Sequence, residues 1–228
     1  MKSIFLAAAA IIGFAASAAA ADAVTELPVA STYNWTGGYA GVQAAYIWGD
    51  GTQTYANGDY SAPKPSGFLG GAYLGVNYQL SNNVVIGLEG DWAWTDAKDT
   101  SLYFHSNSAP YGSNYQSALD VDWTAGLRGR IGYATGRWLP YVAGGLAVAR
   151  VNYVGYDSGA VFDPGAAKTL AGWTIGAGAE YAFTDNLIGR AEYRYSDFGS
   201  ADFSNSYAPS EKVGLTSSDV RIGFAYKF

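Results

Sequence analysis

The chain ends in DVRIGFAYKF, residues 219–228, and this stretch decides the fold. Apolar side chains stand at every second position, and charged or small residues fill the positions between them. The apolar residues are Val220, Ile222, Phe224, Tyr226 and Phe228. Because side chains alternate between the two faces of a β-strand, all five lie on one face. The sequence therefore predicts a C-terminal strand with one apolar and one polar face.

The same period of two recurs seven times before this strand. Counted with the C-terminal run, the predicted strands cover about 36–48, 67–80, 84–96, 120–133, 138–153, 170–183, 187–197 and 217–228. The run at 138–153 is apolar on both faces, so its two sides stay unassigned. No apolar run past residue 34 is long enough for a membrane-spanning helix, which needs about 20 residues.

The connections between these runs alternate between short and long. Those near 81–83, 134–137 and 184–186 hold three or four residues, which suits tight hairpin turns. Those near 49–66, 97–119, 154–169 and 198–216 hold 16 to 23 residues. Short turns at one end and long loops at the other are typical of outer-membrane barrels. We therefore predict an all-β fold, an eight-stranded antiparallel up-and-down transmembrane β-barrel.

The apolar faces carry aromatic residues near both ends of the strands. Examples are Trp92, Trp94, Tyr133, Tyr181, Phe183, Tyr193, Tyr195 and Tyr226. Aromatic girdles at the two membrane interfaces produce this pattern. The alternative is a soluble sheet, in which the apolar face points inward and the charged face meets water. The position of the aromatic residues favours apolar faces that point outward into lipid.

The opposite faces carry six acidic and six basic residues. The acids are Glu89, Asp91, Asp122, Glu180, Glu192 and Asp219, and the bases are Arg128, Arg130, Arg190, Arg194, Arg221 and Lys227. Side chains fill the interior of an eight-stranded barrel, and buried charges need partners there. These residues either pair and plug the lumen or line a narrow watery path. The strand number favours the plug.

The N-terminus has the pattern of a secretory signal. Lys2 precedes an apolar run from Ile4 to Ala16, and alanines at positions 19–21 fit a cleavage site before Asp22. We expect a signal peptide at 1–21, a periplasmic lead-in at 22–34 and the barrel at 35–228. The termini are then periplasmic, and the long loops are extracellular.

Composition leaves little room for catalysis or for nucleic-acid binding. The chain has 13 basic against 19 acidic residues, no cysteine and a single histidine, His105. Nucleic-acid binding needs a basic surface, and a catalytic triad would have to use His105. We expect no enzyme activity, no metal and no cofactor, and haem could use only His105 or a tyrosine.

The predicted loops are rich in tyrosine, which suits either ligand binding or packing against the loops themselves or lipopolysaccharide. These tyrosines are Tyr55, Tyr60, Tyr103, Tyr111, Tyr115, Tyr156 and Tyr207.

Several stretches resemble a known family. They are residues 33–39, 87–91, 127–133, 184–195 and 219–228. In these stretches the chain resembles the Brucella- and Rhizobium-type major outer-membrane surface antigens, RopB among them, within the small-barrel group of OmpA and OmpX. The resemblance implies a structural outer-membrane protein in contact with lipid and lipopolysaccharide. Some relatives are porins or bind haem, so a small channel or a ligand-binding surface protein stays open.

The C-terminal strand carries a further resemblance. Its five apolar residues, with the aromatic Phe228 last, resemble the signal by which assembly machinery recognises outer-membrane barrels. The resemblance implies that the barrel assembly machinery is a partner, besides any host or environmental ligand at the loops.

Overall fold

The computed structural model describes residues 33–55, 58–105, 107, 109–110, 112, 114–202 and 211–228. The predicted signal peptide, most of the predicted lead-in and two of the loop tyrosines, Tyr111 and Tyr207, lie outside these residues. Ten strands occur, namely β1 (Gly37–Tyr55), β2 (Tyr60–Ser61), β3 (Ser66–Gln79), β4 (Val84–Thr95), β5 (Lys98–Leu102), β6 (Tyr115–Tyr133), β7 (Trp138–Asp157), β8 (Ala160–Ala182), β9 (Leu187–Asp202) and β10 (Glu211–Lys227). In this part of the chain no helix is long and apolar enough to cross a membrane.

Eight of these strands form a closed antiparallel ring. The order is β1-β10-β9-β8-β7-β6-β4-β3, and pairing of β3 with β1 closes it. The two short strands, β2 and β5, extend the sheet beside β1 and β6. The prediction of an eight-stranded up-and-down barrel is confirmed.

The outer surface of the ring is apolar over the height of a membrane. Leu88, Leu127 and Ile131 are each about half exposed, and they point away from the barrel axis. Tyr133 stands ten residues from Trp123 on β6. At about 3.3 Å per residue and a tilt of about 40°, these two aromatic residues are about 25 Å apart along the membrane normal. That separation equals the apolar band of an outer-membrane barrel.

The short turns all lie at the end of the barrel that holds the C-terminus. Each connects its strands through four residues, at 80–83, 134–137 and 183–186. Asn83 and Gly136 take positive φ angles of 66° and 63° in two of these turns. Gly tolerates this conformation without strain, and Asn adopts it more readily than most residues.

The strands continue well past the other membrane interface. Residues 154–169 were predicted as a loop, and this prediction was wrong. β7 and β8 pair up to Asp157 and Ala160, and a two-residue turn of Ser158 and Gly159 joins them. Both turn residues have positive φ, at 52° and 81°, which matches the twist of a hairpin. The small and polar residues that suggested a loop are therefore paired in a sheet.

The same extension occurs on the other side of the ring. β1 and β10 pair up to Tyr55 and Glu211, inside segments that were predicted as loops. β6 begins at Tyr115 and pairs with β5 and β7 above the membrane. Of the residues that the structure describes beyond this membrane interface, most therefore lie in the sheet.

Candidate functional site

A network of charged side chains fills the middle of the lumen. It contains five carboxylates and five guanidinium groups, each at most 7% exposed. The members are Glu89, Asp91, Arg128, Arg130, Glu180, Arg190, Glu192, Arg194, Asp219 and Arg221. They alternate with outward apolar residues on β4, β6, β8, β9 and β10. We call these ten residues the lumen network.

Arg128 joins the two halves of the lumen network. Its Nη2 atom lies 2.6 Å from Oε1 of Glu89, and its Nη1 atom lies 2.8 Å from Oε1 of Glu192. Its Nε atom lies 3.8 Å from a carboxylate oxygen of Asp91. The side chain is fully buried. Three carboxylates on two strands therefore surround one guanidinium.

The half nearer the periplasm is built on two glutamates. Arg130 lies 3.4 Å from Glu89 and 2.9 Å from Glu180. Arg190 Nε donates a hydrogen bond of 2.9 Å to Glu180, and Arg190 also forms a close ion pair with Glu89. Glu180 therefore bridges two arginines, and Glu89 contacts both of them as well as Arg128.

The half nearer the extracellular side is built on two aspartates. Arg194 contacts Asp91 at 3.1 Å, and Arg221 contacts the same carboxylate at 3.4 Å. Arg221 also pairs with Asp219 through a contact of 2.5 Å. Contacts between strands far apart in sequence thus connect the whole network.

Three tyrosines complete the network, and the sequence analysis did not assign them to it. Tyr39 donates a hydrogen bond of 2.8 Å to Glu89, and Tyr141 donates one of 2.6 Å to Glu192. The guanidinium of Arg190 lies 4.1 Å from the ring centre of Tyr73, a cation–π distance. With these tyrosines, all eight ring strands contribute to the network. The sequence pattern could have indicated Tyr73 as a residue of the lumen, because Tyr73 stands on the polar face of its strand.

Inward glycines make room for these rings. A Cβ atom at Gly75 would lie 2.4 Å from the Tyr39 hydroxyl, and one at Gly178 would lie 2.9 Å from the Tyr141 hydroxyl. Both distances are below normal contact. The small residues therefore permit the tyrosines to reach the charges.

The structure places Asp122 outside the lumen, which corrects the prediction. The register of β6 against β7 shifts between Val121 and Trp123, so the strand has a β-bulge there. A bulge adds one residue and reverses the alternation beyond it. Val121 therefore points inward, and the Asp122 side chain is 42% exposed on the outer face.

Lys227 shares the inward face but lies at the periplasmic mouth, apart from the lumen network. Its Nζ atom donates a hydrogen bond of 2.7 Å to the backbone oxygen of Asn34. It also lies 5.0 Å from the ring centre of Tyr33. The prediction that Lys227 pairs with the lumen charges is therefore corrected, because the residue stands too near the end of its strand.

An apolar layer closes the lumen on the periplasmic side of the network. It consists of Tyr33, Trp35, Val85, Ala134, Leu139, Ala182 and Ile188. Along β9 the order of inward residues is Ile188, then Arg190, Glu192 and Arg194, which fixes the order of the layers. We call this group the periplasmic apolar layer.

Trp35 is the centre of the periplasmic apolar layer, and it is fully buried. Its indole Nε1 donates a hydrogen bond of 3.1 Å to the Gly136 carbonyl, and its backbone N–H donates one of 2.8 Å to Gln79. The ring of Tyr33 packs edge-on against it at 4.8 Å. Burial raises the pKa of the Tyr33 hydroxyl to about 12, so the ring stays neutral. Residues 33–36, directly before β1, therefore fold into the barrel mouth.

A second apolar layer lies on the extracellular side of the network. It consists of Ile47, Ala97, Leu119, Val121, Ala147, Ala149, Val151, Tyr153, Leu170, Phe198, Val213 and Leu215. Because β7 contributes four inward residues to it, the strand reads as apolar on both faces. We call this group the extracellular apolar layer. Between it and the network lies a cavity of about 10 Å³, about the volume that one water centre needs.

Tyrosine hydroxyls form a cluster beyond the extracellular apolar layer. The hydroxyl of Tyr55 lies 3.0 Å from that of Tyr103 and 3.2 Å from that of Tyr153. Gln53 donates a hydrogen bond of 2.8 Å to Tyr55 and accepts one of 2.7 Å from Ser117. Two of the predicted loop tyrosines, Tyr55 and Tyr103, thus pack against each other.

His105 lies at the extracellular end, where it contacts an aspartate. Its Nδ1 atom is 3.7 Å from Asp59, and the histidine side chain is 44% exposed. Among the described residues no three His, Cys, Asp or Glu side chains are grouped so that they could hold a metal ion.

The C-terminal strand presents its apolar residues to the outside. Val220, Ile222, Phe224 and Tyr226 are each at least half exposed, and Phe228 is 74% exposed. The backbone N–H of Phe228 donates a hydrogen bond of 2.9 Å to the Gly38 carbonyl on β1. The last residue therefore takes part in ring closure.

Comparison with known proteins agrees with this architecture. A family model of the outer membrane protein β-barrel domain matches residues 6–228. The chain belongs to the outer-membrane β-barrel family. This outer-membrane barrel is 38% identical to the 31 kDa outer-membrane immunogenic protein of Brucella melitensis, and the match covers both chains completely. It is 33% identical to the 25 kDa outer-membrane immunogenic protein of Brucella abortus, over 100% of this chain and 99% of that one.

Two further matches extend the comparison. The barrel is 32% identical to the 22 kDa outer membrane protein of Rhizobium leguminosarum, over 89% of this chain and 82% of that one. Among solved structures, OprG of Pseudomonas aeruginosa superposes with a TM-score of 0.54 at 13% identity, covering 86% of this chain and 97% of that one. The resemblance seen in the sequence is confirmed. The protein resides in the outer membrane.

Proposed function

We propose that this barrel is a non-conducting, non-catalytic envelope protein whose interior is a structural plug. The supporting observation is that the lumen network fills the lumen between two apolar layers. Arg128 and Trp35 are both fully buried, one in the network and one in the periplasmic apolar layer. The function of such a barrel then lies in its anchored position and its extracellular surface.

The charge balance supports the plug over a pore. A path for ions needs water-accessible groups along its whole length. Here five carboxylates face five guanidinium groups, so they neutralise one another. An unpaired buried charge would cost several kcal/mol, whereas a network in which each charge has an opposite partner links the strands of the barrel.

The C-terminal strand supports assembly by the outer-membrane machinery as the second part of the proposal. Its apolar side chains face outward in one row that ends at Phe228. A partner that binds this row can hold β10 before the ring closes, because β10 pairs with β1 where the two ends of the barrel sequence meet.

Single-channel recording in planar bilayers tests the plug. The protein, taken from outer membranes in detergent, should insert and give no conductance steps. Folding is checked by its gel mobility before and after heating. A porin inserted into the same bilayers shows that steps can be resolved.

The Arg130→Ala variant separates the plug from the pore. Arg130 bridges Glu89 and Glu180, so the substitution removes charge from the middle of the lumen. Reproducible wild-type steps whose size changes in Arg130→Ala would overturn the plug and establish a channel lined by the network.

A further inference from the structure

The β-bulge in β6 creates a charged group on the outer face, at the extracellular edge of the membrane. Asp122, turned outward by the bulge, lies 3.6 Å from Nε of Arg150 on β7. Asn152 donates a hydrogen bond of 2.7 Å to the same carboxylate. The bulge leaves one residue of β6 without a partner in the β-ladder. By turning Asp122 outward, it orients Arg150, which faces the membrane environment.

Arg150 stands at the height of lipid headgroups. It is the direct cross-strand partner of Trp123, which marks the extracellular end of the 25 Å apolar band. Its side chain is 44% exposed. Asp122 approaches Nε, so the two Nη groups are further from this acid. A guanidinium can therefore pair with Asp122 on one edge and bind a second anion on the other.

Three tryptophans form a platform beside Arg150. The ring of Trp92 lies 5.6 Å from those of both Trp94 and Trp123. Trp92 and Trp94 are 50% and 64% exposed. Trp94, Trp123 and Arg150 are successive cross-strand partners, so the platform and the cation share one row. Tryptophan prefers this interface because its ring is apolar and its N–H is polar.

A second acid and base stand opposite each other on this face. Asp120 points outward two residues before Asp122, and its cross-strand partner on β5 is Lys98. Lys98 therefore stands opposite an acid, whereas Arg150 stands directly opposite Trp123.

We propose that Arg150 and the Trp92–Trp94–Trp123 platform bind a phosphorylated glycolipid of the outer leaflet, the lipid A part of lipopolysaccharide. Its phosphate pairs with the Nη groups of Arg150. Its sugar and the first part of its acyl chains pack on the tryptophan rings. A phosphate bound to an apolar anchor is the ligand that matches a cation beside an aromatic platform at this depth.

Binding of lipid A to the detergent-extracted barrel tests this site. Bis-phosphorylated lipid A is added to protein freed of bound lipid, and retention is measured by native mass spectrometry together with tryptophan fluorescence. The Arg150→Gln variant loses a charge-assisted contact, so its affinity should fall about tenfold or more. Arg137→Gln is the matched control, because Arg137 pairs with Asp185 at the periplasmic end. Its affinity should equal that of the wild type.

Two further measurements keep the test independent of the variant's folding. Dephosphorylated lipid A should bind the wild-type barrel about tenfold more weakly than the phosphorylated form. Inorganic phosphate at millimolar concentration should leave lipid A bound. Equal affinity for both forms of lipid A, equal affinity in Arg150→Gln, or full displacement by inorganic phosphate would overturn the proposal.

Discussion

Arg128 shows at the scale of one residue how a charge is held inside this barrel. It is fully buried, and three carboxylates lie within 4 Å of its guanidinium. Removal of one partner from a buried ion pair leaves the other charges uncompensated, which typically costs about 3–5 kcal/mol. The stability of the barrel should therefore depend strongly on this one side chain.

We expect Arg128→Ala to lower the free energy of unfolding by about 3–5 kcal/mol. The measurement is the urea midpoint of the barrel in lipid vesicles, followed by tryptophan fluorescence. Arg137→Ala serves as the control, since its ion pair with Asp185 is exposed and contributes about 0–1 kcal/mol. Equal midpoints for the two variants would contradict a structural role of the lumen network.

Single residues also show which side chains of the barrel interior the sequence could not predict. The alternation placed most of the charges, because a period of two assigns sides directly. It misplaced Asp122, since one extra residue at the bulge reverses the sides. The local sequence does not indicate this bulge, because Val121, Asp122 and Trp123 alternate between apolar and polar residues as in an ordinary strand.

The β7–β8 hairpin shows at the scale of an element why loops were overpredicted. Residues 154–169 are rich in glycine, alanine and aspartate, and this composition resembles that of a loop. In the structure most of them pair in the ladder that runs, with two register shifts, from Arg150 and Thr169 to Asp157 and Ala160. Inward Val151 and Tyr153 join a core that is supplied by other strands, which local composition does not reveal.

The turn of this hairpin gives a testable prediction. Gly159 has a φ of 81°, which costs a β-branched residue about 1–2 kcal/mol. We expect Gly159→Val to open the hairpin and to speed cleavage by trypsin at Lys168 in intact cells. The wild type should resist cleavage, because Lys168 pairs with Val151 in the sheet.

Gly159→Asn is the matched control for that variant. Asparagine tolerates positive φ far better than valine does, and a Cβ atom at this position meets nothing within 4 Å. Its cleavage rate should stay close to that of the wild type. Rapid cleavage of all three proteins would show that the hairpin is open in the cell.

At the scale of the whole molecule, ring closure joins the two ends of the described chain. β1 and β10 pair from Tyr39 with Lys227 to Tyr55 with Glu211, and Phe228 adds the hydrogen bond to Gly38. We expect deletion of Phe228 to reduce the amount of assembled barrel strongly. The deletion shortens the outward row of apolar side chains on β10 that we propose is recognised during assembly, and it removes the hydrogen bond to Gly38.

Heat-modifiable gel mobility of outer-membrane fractions measures this effect. Phe228→Tyr keeps an aromatic ring and the backbone donor, so it should assemble as the wild type does. Wild-type abundance of the deletion variant would refute the proposed role of the C-terminal residue in assembly.

The sequence predicted the closed ring but not the stacking inside it. Strand number, turn lengths and balanced charge all follow from local patterns. The layers depend on which strands meet across the lumen, as when Arg190 reaches Glu89 101 residues away. Trp35 was missed for the same reason, because its partners in the periplasmic apolar layer come from four other segments of the chain.

The extracellular apolar layer has an immunological consequence. Strands from both sides of the ring wrap around it, so neighbouring surface positions come from distant parts of the chain, as Tyr115 and Asp157 do. An epitope that spans neighbouring strands in this way is discontinuous and exists only while the sheet is intact. Antibodies that bind such an epitope on the folded barrel should bind whole bacteria and fail on the denatured chain, whereas antibodies raised against a short synthetic peptide from one of these strands should do the opposite.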